Sequence, residues 1–137
     1  MLRLKTNGEI ALSAITFFRK LDRETRKKII ETIVLKRGGK KVAEDLGVSK
    51  AAISRYLKGE IFPSDKILSK IFEISDKEER EKISIIIGEY IVDLLKEYKN
   101  LFSSLEKDTI YKDIKMKIFE ELESLVKELK SECDQKT

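Results

Sequence analysis

Histidine and tryptophan are absent from this sequence, and cysteine and proline occur once each. The lone thiol, Cys133, excludes an intrachain disulfide framework and a cysteine-rich zinc site, since both need several cysteines at set spacings. Without histidine, and with no paired carboxylates in a recognisable frame, a general base or an activated nucleophile has nothing to assemble from. No catalytic residue, metal ligand or cofactor is expected. Tyr90, Tyr98 and Tyr111 lack the basic constellation a tyrosine recombinase would need. The segment Arg37-Gly38-Gly39-Lys40-Lys41 lacks the Gly-x-x-x-x-Gly-Lys-Ser/Thr spacing and the preceding strand of a phosphate-binding loop. Long apolar runs are missing too. The longest, Ile83 to Ile91, is broken by Ser84, Gly88, Glu89 and Tyr90, well short of the roughly 20 residues that span a bilayer. Met1-Leu2-Arg3-Leu4-Lys5 has neither the apolar stretch nor the small-residue cleavage site of a signal peptide, so the chain reads as cytoplasmic. Asn and Gln are nearly absent, a bias associated with hot environments, and a thermophilic source is expected.

What is present is charge and aliphatic bulk. Of 137 residues, 39% are charged and 41% hydrophobic, enough apolar material for a core and too much for a disordered chain. The length suits one globular unit with an attachment. The net charge of +4 is unevenly spread. Residues 1–75 hold 17 Lys and Arg against 9 Asp and Glu, whereas residues 76–137 hold 12 against 16. A basic first half suits a polyanion, because each neutralised phosphate releases condensed counterions, and a mildly acidic second half suits protein contacts. Ordinary surface charge is the plainer alternative.

The expected architecture is all-α: a compact set of short helices over residues 1–75, then a long helical hairpin over 76–137. The first twenty residues admit two readings. Asn7-Gly8 could close a hairpin between Leu2–Lys5 and Glu9–Leu12, or Asn7 could cap a helix facing inward with Ile10, Ala14, Phe17 and Leu21; the helix is preferred. Asp22 caps a helix over Arg23–Lys36 with Ile29, Ile30, Ile33 and Val34 inward and Arg26, Lys27 and Lys28 outward, ended by Gly38 and Gly39. Pro63 and Ser64 open a further helix with Ile67, Leu68, Ile71 and Phe72 inside. Asp76 caps a long helix to about Ser104, with apolar residues from Ile83 to Leu105 recurring every three or four positions. Asp108 caps another, carrying Tyr111, Ile114, Ile118, Leu122, Leu125, Val126 and Leu129.

The functional signal lies between Lys40 and Lys58. Lys40 to Leu46 predicts a short helix, Gly47 a sharp turn, Ser49 an N-cap, and Lys50 to Lys58 a second helix stopped by Gly59. Ala43 is small where the two helices cross, and Val42, Leu46, Val48, Ile53 and Leu57 have inward spacing. The second helix of such a pair projects from the surface and fits a DNA major groove. Over about Arg23 to Glu73, and above all in Gly47-Val48-Ser49, Ile53-Ser54-Arg55-Tyr56-Leu57-Lys58-Gly59 and Pro63-Ser64, the chain resembles the Cro-like phage-repressor, or xenobiotic-response-element, helix-turn-helix family. That resemblance implies binding of double-stranded DNA by the helix after the turn, usually as a dimer on a palindromic operator. One departure stands out: where the family often has Gln at the start of the reading helix, this chain has Lys50, Ala51 and Ala52, so adenine recognition by Gln does not carry over.

By resemblance and by outward direction, Ser49, Lys50, Ala51, Ser54 and Arg55 are the base-facing candidates. A guanidinium at Arg55 can grip guanine O6 and N7 together, and Ala51 can touch a thymine methyl; a phosphate contact or a solvated charge is the alternative for Arg55. Lys40, Lys41, Lys58 and the helix start at Ser64 are placed for phosphates. Tyr56 falls on the inward side and reads as core. The C-terminal helices read as a dimer interface, because charged residues flank a stripe from Tyr111 to Leu129 as at a coiled-coil seam, and Gly88 is expected to mark a close helix crossing. The overall expectation is a homodimeric, sequence-specific transcription regulator, cytoplasmic and nucleoid-associated. An architectural or partition-type DNA protein and a protein-interaction adaptor on a helix-turn-helix scaffold are the alternatives.

Overall fold

The computed structural model describes residues 7–103 and 109–135, and all regular structure among them is helical: α1 (Asn7–Phe18), α2 (Arg23–Arg37), α3 (Gly39–Leu46), α4 (Lys50–Lys58), α5 (Asp65–Ile74), α6 (Lys77–Phe102) and α7 (Lys112–Asp134). The chain divides into two compact units, Met1–Glu97 and Tyr98–Thr137. In the first, α2 packs against α3, α4 and α5, while α1 lies along α5. The reason is the aliphatic stripe of α2: Ile29, Ile30 and Ile33 are all but inaccessible to solvent, and around them close Val42, Leu46, Ile53, Leu68, Ile71 and Ile83. Each such side chain contributes about 1.5–3 kcal/mol by leaving water, so this cluster dominates the stability of the unit.

Caps set the element boundaries. Asp22 accepts a hydrogen bond from the Thr25 amide at 2.9 Å, and Asp76 and Glu79 each accept from the other's amide at the start of α6, at 2.8 and 3.0 Å. This reciprocal pair is a capping box. Gly38 alone ends α2, and Gly39 already belongs to α3.

Two arginines fasten the unit. Arg26 was expected to point outward with Lys27 and Lys28, yet its side chain is only 13% exposed. Its guanidinium donates to the carbonyls of Phe18, Leu21 and Pro63 and to the Asp65 carboxylate at 2.6–3.0 Å. It thereby ties the end of α1 to the start of α5. Arg37 binds the Glu79 carboxylate with two parallel bonds, at 2.8 and 2.7 Å, and also donates to Asp45 and to the Ile74 carbonyl. Glu79 is wholly buried. The pair satisfies the burial requirement that a charge be both matched and hydrogen-bonded.

Several expectations are corrected. At the N-terminus the preferred helix forms, since Glu9 to Leu12 belong to α1, and only the alternative hairpin falls; its other strand, Leu2–Lys5, lies outside the described residues. Ala14 and Leu21 lie against the core as expected, but Phe18 rather than Phe17 joins them there. Leu57 is partly exposed at the edge of α4. A Cβ added at Gly88 would meet nothing within 4 Å, so among the described residues no helix crosses closely there. In α6 only Glu79, Ile83 and Ile87 are buried, and from Ile91 onward the apolar stripe faces solvent. The α6 helix ends at Phe102; the expected limits at Ser104, Leu105 and Asp108 lie outside the described residues.

In the second unit, Tyr98 and Phe102 contact one another at 4.9 Å between ring centroids. The α7 helix starts at Lys112, after Thr109 Oγ1 accepts from the Tyr111 amide, and none of its residues is buried. Ile114, Ile118, Leu122, Leu125, Val126 and Leu129 are all exposed.

Candidate nucleic-acid interface

The turn between α3 and α4 is built from backbone requirements. Gly47 has φ 68° and ψ 33°, the left-handed conformation that a Cβ disfavours. There its amide and that of Val48 close on the carbonyls of Glu44 and Ala43. Lys70, from α5, donates to the Leu46 carbonyl at 3.1 Å, placing a cation at the C-terminal end of α3, the favourable sign for that end of a helix. Ser49 then accepts from the Ala52 amide at 3.0 Å and starts α4. Ala43 is buried, and Gly39 lies so close to α4 that a Cβ there would touch Ile53 at 3.7 Å.

Burying Ile53 and Tyr56 fixes the rotation of α4, and Tyr56 is core as expected. The opposite face carries Lys50, Ala51, Ser54, Arg55 and Lys58, all exposed and at helical spacings that align them in one stripe. Ser49 is exposed at its head, with its hydroxyl oxygen engaged by the cap. Every base-facing candidate is therefore on one accessible surface. Gly59, with φ 73°, ends the helix by directing its own amide to Tyr56 and that of Glu60 to Arg55. This left-handed cap turns the Glu60 side chain back, and its Oε2 lies 3.4 Å from Arg55 Nε.

The phosphate candidates are more dispersed. Lys40 and Lys41 are exposed in the first turn of α3, and Lys41 pairs with Asp45 at 3.1 Å. Lys41 and then Arg37 hold the Asp45 carboxyl below its ordinary range. Ser64, also exposed, accepts from the Ile67 amide at 3.2 Å and caps α5. Beside it an open groove is lined by Arg23, Phe62 and Pro63, with the Arg23 guanidinium 5.6 Å from the Phe62 ring centroid. Sequence reasoning missed Lys70 and Glu60 because each acts on a residue of another element or beyond a cap; the left-handed glycine at 59 was the only local signal for the second.

A capped helix, a left-handed glycine and a projecting basic helix in this order are the parts of a DNA-reading motif, and the family model described as Helix-turn-helix matches residues 33–81. Residues 33–81 form a helix-turn-helix domain, similar to the DNA-binding helix-turn-helix of the Cro/C1 type. The match takes in the helix-turn-helix proper, the end of α2, all of α5 and the first turn of α6. Neither a curated protein nor a solved structure matches the chain. No helix among the described residues is long and apolar enough to cross a membrane.

Proposed function

We propose that the protein is a homodimeric, sequence-specific regulator of transcription that reads the major groove of double-stranded DNA with α4. The observation that carries this reading is the exposed stripe of Lys50, Ala51, Ser54, Arg55 and Lys58 on a helix whose other face is locked by Ile53 and Tyr56. Arg55 grips a guanine edge, Ala51 meets a thymine methyl, and Ser49, Lys50 and Ser54 approach neighbouring bases. Lys40, Lys41, Lys58 and the α5 start at Ser64 hold phosphates and so set the register. Residues 1–75 serve as the DNA-binding part and 76–137 as the dimerisation part, the exposed apolar face of α7 meeting that of a second copy. A two-fold dimer places its reading helices about 34 Å apart, one turn of DNA. The protein acts in the cytoplasm, at the nucleoid, and its scarcity of Asn and Gln supports a thermophilic source.

Selection of binding sites from a random duplex library tests this. A palindromic motif, with preference at one base position lost in Arg55→Ala at a cost of about 1–3 kcal/mol, is the expected outcome. Enrichment of no sequence, with affinity that falls steeply with salt, would favour an architectural protein, a reading that draws support from the bare methyl Ala51 presents on the stripe.

A further inference from the structure

We infer that Glu60 is a positioning residue for the DNA reading helix, holding the Arg55 guanidinium by its Nε so that the two terminal nitrogens face the groove. The inference rests on the role proposed for Arg55 and adds a second residue to it.

The geometry begins with Gly59. A helix that ends in a left-handed residue folds the next amide back onto the last turn, and here the Glu60 amide donates to the Arg55 carbonyl at 3.0 Å. The backbone of Glu60, just past the end of α4, is thereby anchored to that of Arg55. Glu60 Oε2 stands 3.4 Å from Arg55 Nε, with both side chains about half exposed. The carboxylate is paired with the guanidinium from its Nε side as an ion pair at that distance, without an aligned hydrogen bond. What remains is the end-on fork, Nη1 and Nη2, whose two parallel N–H groups match the O6 and N7 acceptors of guanine. The same carboxylate repels phosphate and competes with it for Arg55. On DNA of the wrong sequence, where Arg55 would otherwise swing to the backbone, Glu60 is therefore a cost that no base contact offsets. On the right sequence the fork engages guanine while Nε stays matched. Glu60 thus favours discrimination over raw affinity.

The test compares wild type, Glu60→Gln, Arg55→Ala and the double variant on the duplex that wild type selects, on that duplex with its guanine replaced, and on scrambled DNA. A thermal melt of each checks folding. Glu60→Gln should tighten binding to scrambled DNA by about threefold to tenfold, the range set by one surface ion pair and one phosphate-facing charge, and should lower the ratio of selected to scrambled affinity correspondingly. In the Arg55→Ala background the same change should leave the guanine preference unmoved, because the two residues act as one coupled pair. If wild type selects a sequence but Glu60→Gln keeps the full ratio, the inference is overturned and the proposed function stands. If Glu60→Gln tightens binding to selected, guanine-replaced and scrambled DNA equally, with and without Arg55, Glu60 acts as a bare charge and the positioning role is wrong. If wild type selects no sequence at all, the proposed function itself fails.

Discussion

The ion pair of Arg37 and Glu79 illustrates what one residue can do in this fold. Glu79 is fully buried, and its bonds to Arg37 hold its carboxyl below the ordinary range against the opposing effect of burial. The same interaction pushes Arg37 upward. Removing the cation leaves a buried, unmatched carboxylate, so Arg37→Ala should cost about 3–5 kcal/mol, read as a shift in the urea midpoint. The pH dependence follows from the sign of the shift. A depressed folded-state value means that the pair's contribution is complete above the ordinary glutamate value of about 4.3 and erodes as pH falls below it. Denaturant titrations between neutral pH and about pH 3 should therefore show a steeper loss for wild type than for Glu79→Gln; equal slopes would contradict the assignment. None of this was legible in the sequence. Asp76 to Arg80 reads as a solvated charged helix start, and only the arrival of α2 from 40 residues upstream makes Glu79 internal. Arg26 was misjudged for the same reason, because helical periodicity places a side chain on a face without saying what lies over its tip.

At the scale of the element, the sequence was far more informative, since caps and turns are local devices. Asp22, Ser49, Ser64 and Asp76 all cap as their types and positions suggest. The helix-turn-helix boundaries from Lys50 to Lys58 agree with the sequence reading, and α3 starts only one residue earlier than expected. Gly47→Ala must place a Cβ in the left-handed region, a cost of about 1–2 kcal/mol, and Ser49→Ala removes an N-cap worth about 1 kcal/mol. Both should lower the thermal midpoint, and weakened DNA binding should accompany Gly47→Ala at temperatures where the fold is intact, because the turn sets the angle of α4. Unchanged midpoints would contradict this account of the turn. Periodicity was less informative for α6. Its apolar repeat continues to Phe102, yet burial stops at Ile87, because a repeat identifies a face and only a neighbouring element can cover it.

For the whole molecule, charge and apolar surface divide along the chain. The basic excess of residues 1–75 accompanies the helix-turn-helix, and the exposed aliphatic residues of α7 accompany the acidic remainder. Isolated exposed leucines are ordinary, but a stripe at helical spacing from Ile114 to Leu129 is a surface that a second copy can bury. Leu122→Asp combined with Leu125→Asp should convert a dimer to a monomer in analytical ultracentrifugation, with helix content largely kept and affinity for a palindromic site reduced far more than for a half-site. A dimer that survives both changes would locate the interface elsewhere. The most direct test of the central claim is the affinity of wild type and Arg55→Ala for the selected duplex and for a scrambled one, at two salt concentrations. The account predicts a wild-type preference for the selected duplex that persists at both salts and falls by about 10–100-fold in Arg55→Ala, corresponding to loss of one bidentate base contact. Equal affinity of wild type for both duplexes would contradict it.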